Sequence, residues 1–316
     1  MSANSASPDA WIVERRPARN PVDPWRPYLF FSEEERSRDG QVHAVNTIFL
    51  TNRECPWRCL MCDLWKNTLE ETVPLGAIPA QIDHALERLP VARHIKLYNS
   101  GSFFDPRAIP PADYQPIATR LTAYEHVIVE SHPALIGERC LQFRDLLAGR
   151  LEVAMGLETV HPAVLARMNK HMTVEQFRDA AHWLTAHEID VRVFVLVKPP
   201  FLREDEALEW SNRSLDFAFA CGATAVTLIP TRAGNGALDA LAIQGDFTPP
   251  SIGTLEAALE YGLGLVKGRV FADLWDLPRF ARCQACYEAR AARLRRMNLE
   301  QTIVKRVACR DCGGTG

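Results

Sequence analysis

Between residues 45 and 230, short β-branched apolar runs alternate with longer windows of helical period. Residues 45–51, 94–99, 126–131, 151–158, 191–198 and 224–230 have strand length and are bounded by turn residues. Helical patterns lie near 79–89, 113–124, 136–147, 173–187 and 205–221. Thr173-Val-Glu-Gln176 has the form of a capping box, where a hydroxyl and an amide each satisfy one free N–H of the first turn. Gly222 suits a helix stop. The alternation predicts an α/β fold of parallel strands with right-handed crossovers. Six such units fit an open six-fold β/α barrel, although pattern alone does not separate that from a doubly wound sheet. In either fold ligands gather at the strands' C-terminal ends.

Upstream of these units, residues 11–40 are rich in proline and charge. They predict an extended lead-in packed through Trp25, Tyr28, Phe30 and Phe31, after a polar, frayed tail over residues 1–10 with no secretory signal. The organisation expected is an N-terminal extension (1–40), a core domain (41–250) and a C-terminal region with cysteine knuckles (251–316). The chain has 316 residues, 47% of them hydrophobic, enough to bury one large core with an appendage. Its net charge of −3 gives no global attraction to nucleic acid. No apolar run is long enough to span a bilayer, so no membrane role is expected.

Cysteine placement changes the picture most. Cys55, Cys59 and Cys62, spaced C-x3-C-x2-C, follow the first strand. Cys283, Cys286, Cys309 and Cys312 form two C-x2-C knuckles, while Cys140 and Cys221 sit in helical patterns as buried apolar residues. Such spacing reads as metal binding in a reducing, cytoplasmic setting rather than as a disulfide framework. A 4Fe–4S cluster takes four cysteines. Three leave one iron without a protein ligand, and an open position is the mark of a catalytic metal site. The plainer alternative is a partial zinc site. His43, His84, His132, His161 and His171 have no ligand-like spacing and read as structural.

The triad in Cys55-Pro-Trp-Arg-Cys-Leu-Met-Cys62 resembles that of the radical S-adenosylmethionine (SAM) superfamily. The stretches Tyr98-Asn-Ser-Gly-Ser-Phe-Phe-Asp-Pro-Arg107, Gly156-Leu-Glu-Thr159 and Met297-Asn-Leu-Glu-Gln-Thr302 narrow this to a likeness to the radical SAM subunit of archaeosine synthase and elongator-like cores. The resemblance implies a 4Fe–4S cluster on Cys55, Cys59 and Cys62, with SAM on its open iron as the source of a 5′-deoxyadenosyl radical. It also implies carbon–nitrogen cleavage of a lysine-modified deazaguanine in tRNA, a partner enzyme that prepares that substrate, and a reductant such as flavodoxin or ferredoxin.

Candidate SAM contacts sit at strand ends. Ser100, Gly101 and Ser102 offer hydroxyls and N–H groups that suit a carboxylate. Glu130 and Glu158 suit a ribose or amino group, and Lys198 an anionic group. The ordinary alternatives are a Glu158 paired with Arg167 or Lys170, and a solvated Lys198. Cys283, Cys286, Cys309 and Cys312 suit either one zinc ion or an auxiliary iron–sulfur cluster. The basic residues around them (Arg279, Arg282, Arg290, Arg293, Arg295, Arg296, Lys305, Arg306 and Arg310) predict a phosphate-tracking RNA surface or, equally, a solvated helix face. Two rival functions remain open on these residues. One is a radical SAM enzyme acting on a peptide or small metabolite with an auxiliary cluster. The other is a non-catalytic metal-binding RNA module.

Overall fold

A computed structural model describes residues 7–313. One sheet holds eight strands in chain order: β1 (Leu29–Arg36), β2 (Val42–Phe49), β3 (His94–Tyr98), β4 (His126–Glu130), β5 (Arg150–Glu158), β6 (Asp190–Val197), β7 (Ala225–Pro230) and β8 (Arg269–Ala272). β1 runs antiparallel to β2, and every later pair is parallel. The helices are α1 (Pro8–Glu14), α2 (Ala77–Leu86), α3 (Tyr114–Arg120), α4 (Glu138–Arg144), α5 (Pro162–Arg167), α6 (Val174–Ala186), α7 (Glu204–Ala220), α8 (Ala237–Gln244), α9 (Ile252–Gly264) and α10 (Gln284–Glu300). The capping box at the start of α6 forms as expected, with Gln176 N–H on Thr173 Oγ1 at 3.2 Å.

The six expected units are β2 to β7, so the sheet exceeds the six-fold expectation by one strand at each edge. Both extra strands lie outside 41–250: β1 within the proline-rich lead-in and β8 within the C-terminal region. Residues 8–10, expected to be frayed, and 11–14, expected to be extended, form α1 instead, because Ser7 caps its first turn, accepting from Ala10 N–H at 3.3 Å, with Pro8 at the first helical position. The rest of the tail, residues 1–6, lies outside the described residues.

Alternation explains both faces of the sheet. Ile95 and Leu97, Val127 and Val129, and Val191, Val193 and Val195 join the main apolar core with the helices. The intervening positions fill the concave face with charge. Glu35 of β1 meets Arg192 of β6 at 2.6 Å and Lys96 of β3 at 2.6 Å. Arg192 reaches Glu152 of β5 at 2.5 Å, and Arg269 of β8 reaches the same carboxylate at 3.0 Å. Contacts between β1 and β6 across the interior require a sheet curled into an open barrel. They also explain why the glutamate-rich Ser32-Glu-Glu-Glu-Arg36 is a strand: alternate glutamates are the counter-ions of the lumen. Beyond β8, side-chain amides of α10 stand in for a ninth strand. Asn298 Oδ1 accepts from Ala272 N–H at 2.8 Å, and Gln301 Oε1 accepts from Val270 N–H at 2.7 Å.

This charged layer should set the acid limit of the fold. Burial pushes the Glu152 carboxyl up, but Arg192, Arg269 and His126 outweigh it and hold the group at about 2. A depressed carboxyl contributes stability above its unfolded value, near 4.3, and loses it as the pH falls toward the folded value. Urea melts between pH 6 and pH 2.5 should show a falling midpoint, and Glu152→Gln should flatten that slope while lowering stability at pH 6. An equally steep slope in the variant would place the acid sensitivity elsewhere.

Candidate active site

The candidate site lies where β2 to β5 end. After Phe49 the chain enters the loop bearing Cys55, Cys59 and Cys62, each half-buried. Side chains pin this loop from below. Thr51 N–H donates to Gln81 Oε1 at 2.8 Å, and Gln81 Nε2 donates to the Thr51 carbonyl at 2.7 Å. The Asn52 amide donates to the Asn99 carbonyl, and the Asn99 amide donates to Asn52 Oδ1 at 3.2 Å. On another side Trp57, from inside the triad, stacks on His132 with ring centroids 3.7 Å apart. His132 N–H donates to Ser102 Oγ at 2.8 Å, and its ring nitrogen lies 3.0 Å from the Lys170 carbonyl. The loops after β2, β3, β4 and β5 are thus tied into one unit around the thiols.

Burial pushes each of the three thiols up to about 12. The thiolate is the metal-binding form, and a buried thiol ionises only against compensating positive charge. Lys170 supplies some: its buried ammonium pairs with Glu158 and favours the thiolates of Cys59 and Cys55. Among the described residues, the groups whose ligand atoms all lie within 4.8 Å of one another are the four C-terminal cysteines and His126, Glu152 and Asp190. The triad is spread more widely, as a multinuclear cluster requires and a single zinc ion does not. In the His126 group the carboxylates are already spent on Arg192, Arg269, Arg150 and Arg38.

The loop after β3 turns at Ser100, whose φ is 55°. Its N–H groups, from Asn99 (at 2.6 Å), Ser100 and Gly101, converge on the Glu130 carboxyl. The nest expected to receive a ligand carboxylate is therefore filled by the protein's own. Burial pushes Glu130 up to about 7 against those three donors. A cationic group arriving beside it would draw it into the carboxylate form. Ser100 Oγ lies 2.9 Å from Tyr28 OH, and burial pushes that phenol well above its ordinary range. Gly101 faces the triad closely: a Cβ there would stand 3.4 Å from Cys55 Cβ.

Glu158 ends β5 at a register shift, with φ at 66°. Gly156 makes room for its pairing, since a Cβ at that position would strike both Glu158 Oε1 and Lys170 Nζ. Lys198 is placed differently. Its buried ammonium donates to Glu204 at 2.7 Å and to Thr248 Oγ1 at 2.6 Å, fixing the start of α7 to the turn before α9. The structure brings Cys55, Cys59, Cys62, Ser100, Gly101, Ser102, Glu130 and Glu158 together, with Lys198 engaged elsewhere. It adds Tyr28, Trp57 and His132, and it gives Lys170 a place beside the thiols as well as beside Glu158.

No protein-family model matches the chain. Archaeosine synthase subunit beta of Methanosarcina acetivorans is 28% identical over 226 residues, 67% of this chain and 65% of that protein. An uncharacterized protein of Methanocaldococcus jannaschii is 25% identical over 235 residues, 70% of this chain and 64% of its own length. The chain therefore spans just under two thirds of each relative. Among solved structures, Methanocaldococcus infernus Elp3 superposes with a TM-score of 0.52 at 14% identity, covering 73% of this chain and 60% of that one. Streptococcus suis SuiB, bound to its precursor peptide SuiA, gives 0.52 at 9% identity, covering 70% and 47%. These two share the fold. The likeness is to the radical SAM superfamily.

The C-terminal cysteines close on one another. Cys283 Sγ lies 3.8 Å from Cys309 Sγ, and Cys286 Sγ lies 3.8 Å from Cys312 Sγ. The basic residues around them do not form a free stripe. Arg290 and Arg293 are buried on Glu256 at 2.6 and 3.1 Å. Arg293 and Arg306 share Glu260, Arg296 holds Glu300 at 2.8 Å, and Arg279 and Arg282 meet Asp276 and Glu204. Three of the basic residues in the 279–310 window, Arg290, Arg293 and Arg306, take their counter-ions from α9, outside that window, while Arg295, Lys305 and Arg310 stay exposed. Neither RNA tracking nor a wholly solvated helix face describes Arg290 and Arg293, which are structural.

Proposed function

We propose that this protein is a radical SAM enzyme acting on a tRNA nucleoside, by carbon–nitrogen cleavage of the archaeosine-synthase type. The observation that carries the reading is the convergence of three widely spaced thiols, Lys170 and Glu130 at the strand ends of an open β/α barrel. Cys55, Cys59 and Cys62 would hold a four-iron cluster; with SAM bound and one electron supplied, it would provide the chemistry that breaks a carbon–sulfur bond of SAM into methionine and a 5′-deoxyadenosyl radical. Lys170 compensates the charge of the thiolates and holds Glu158 in its buried place. Glu130, braced by three N–H groups, is fitted to accept from the SAM amino group. Trp57 and His132 fix the loop so that the ligands keep their spacing. Lys198 holds the turn at 248–251. The tRNA substrate, and a partner that prepares it, rest on the likeness to archaeosine synthase subunit beta.

The four C-terminal cysteines are assigned one zinc ion. A tetrahedral Zn–S distance of about 2.3 Å sets sulfur–sulfur edges near 3.8 Å, which is the separation of both pairs. An auxiliary cluster would need the sulfurs further apart. Zinc would hold the stretch after α10 onto its first turn, adding folding free energy to a segment with little core of its own.

The test is anaerobic reconstitution followed by metal analysis and incubation with SAM and dithionite. About four irons and one zinc per chain, with 5′-deoxyadenosine formed, support the reading. Eight irons would move the proposal to an auxiliary-cluster enzyme. A chain without 5′-deoxyadenosine would not be a radical SAM enzyme. Mass spectrometry of tRNA nucleosides from cells with and without the gene then checks the substrate: an unchanged profile would remove tRNA.

A further inference from the structure

Past the C-terminal ends of β7 and β8 the lumen carries a second pair of charges, and this pair is loosely made. On β8, Arg269 faces the lumen against Glu152, and Phe271 faces it 5.4 Å from the Arg192 guanidinium. Asp273 N–H still donates to the Leu228 carbonyl at 2.8 Å, so the period of two carries its side chain to the same face. Asp273 meets Arg232, two residues past β7, at 3.4 Å, whereas the pairs of the deeper charged layer close to 2.5–3.0 Å. Arg232 spends two of its five N–H groups, on the Trp275 carbonyl at 3.0 Å and on Asp273. The other Asp273 oxygen accepts from Trp275 N–H at 2.9 Å. Both side chains stay open, 23% and 24% exposed. Burial pushes the Asp273 carboxyl up, Glu33 adds to the push, and Arg232 does not cancel it. Lys96 is already held by Glu33 and Glu35.

The position of this pair narrows its use. The thiols lie past the ends of β2 to β5, and Arg232 and Asp273 lie at the other edge of the same curled sheet. Between them Tyr98 and Phe194, with ring centroids 6.2 Å apart, and Thr227 beside Phe194 are only half-buried, so the wall stays open along this path. Opposite charges this close, with neither saturated, match a ligand that itself carries both on neighbouring atoms. A lone cation would meet Arg232 as well as Asp273, and a lone anion would meet Asp273 as well as Arg232. A zwitterion offers each group its counter-charge through charge-assisted hydrogen bonds. We infer that Arg232 and Asp273 bind a free α-amino acid group of the substrate, its carboxylate on Arg232 and its ammonium on Asp273. The inference rests on the proposed function and deepens it, because an amino acid joined to a nucleoside through its side chain presents such a group.

The experiment uses the full reconstituted chain with SAM and three small probes, titrated by calorimetry. Nε-acetyl-L-lysine carries both charges, N-acetylcadaverine the ammonium alone, and 6-acetamidohexanoate the carboxylate alone. The parent should bind Nε-acetyl-L-lysine about tenfold or more tighter than either single-charge probe. Asp273→Asn should remove the preference over 6-acetamidohexanoate, and Arg232→Gln the preference over N-acetylcadaverine. A pair that only braced the two loops would change neither preference selectively. The probe series on the parent requires no variant to fold. Equal binding of the three probes, or no binding of Nε-acetyl-L-lysine at millimolar concentration, would overturn the assignment, as would variants that keep both preferences. Zwitterion-selective binding by a chain that forms no 5′-deoxyadenosine with dithionite would instead strike the radical SAM reading and keep the receptor.

Discussion

Cys59→Ala should lower dithionite-driven SAM cleavage to background while leaving one zinc ion on Cys283, Cys286, Cys309 and Cys312. Cys59 is the middle thiol of the triad and carries most directly the influence of Lys170, which follows burial in setting that thiol. Its loss leaves two thiols that burial already holds near 12, so neither has reason to ionise without a fully ligated metal. The iron content should fall from about four toward zero, and the cluster's visible absorbance should vanish with it. The two proposed metal sites lie on different elements, the loop after β2 and the ends flanking α10, so zinc at the second should be indifferent to the change. Cleavage surviving in Cys59→Ala at more than about a tenth of the parent rate would mean that the radical chemistry does not depend on this triad.

Much of the architecture was readable because it rests on local regularities. β-branched runs with helical windows between them placed β2 to β7 within a few residues, since buried parallel strands need such runs. β1 escaped because its glutamates look like solvated charge until Lys96 and Arg192 are seen opposite them. β8 escaped because four residues carry too little periodicity, and its outer edge is satisfied by Asn298 and Gln301 from far along the chain. The site divides in the same way. Cysteine spacing is a sequence property and could be read directly. The role of Lys170 depends on a bulge at Glu158 and on the space left by Gly156. That of Tyr28 depends on β1 returning to the triad. The free electrostatics of the C-terminal region were misleading for a related reason: charge along a sequence says nothing about the partner that folding brings from another helix.

Arg192→Met should destabilise the fold by about 3–5 kcal/mol, the range for removing one partner of a buried ionic network. Arg192 is 2% exposed and bonds two carboxylates from different strands, Glu35 at 2.6 Å and Glu152 at 2.5 Å. Without it, Lys96 and Arg269 remain to compensate those carboxylates, but the geometry across the barrel is lost, and one buried negative charge is left poorly solvated. The methionine fills similar volume, so the loss cannot be assigned to a cavity. Removing a carboxylate as well should return part of the stability, and Arg192→Met/Glu152→Gln is expected to lie above the sum of the single changes, because the two groups are in direct contact. Equilibrium urea unfolding of the four proteins gives the cycle. An additive result would show that the lumen's charges act independently, and a loss under about 1 kcal/mol would show that β1 is held to the barrel by its backbone pairing to β2 rather than by the ions facing it.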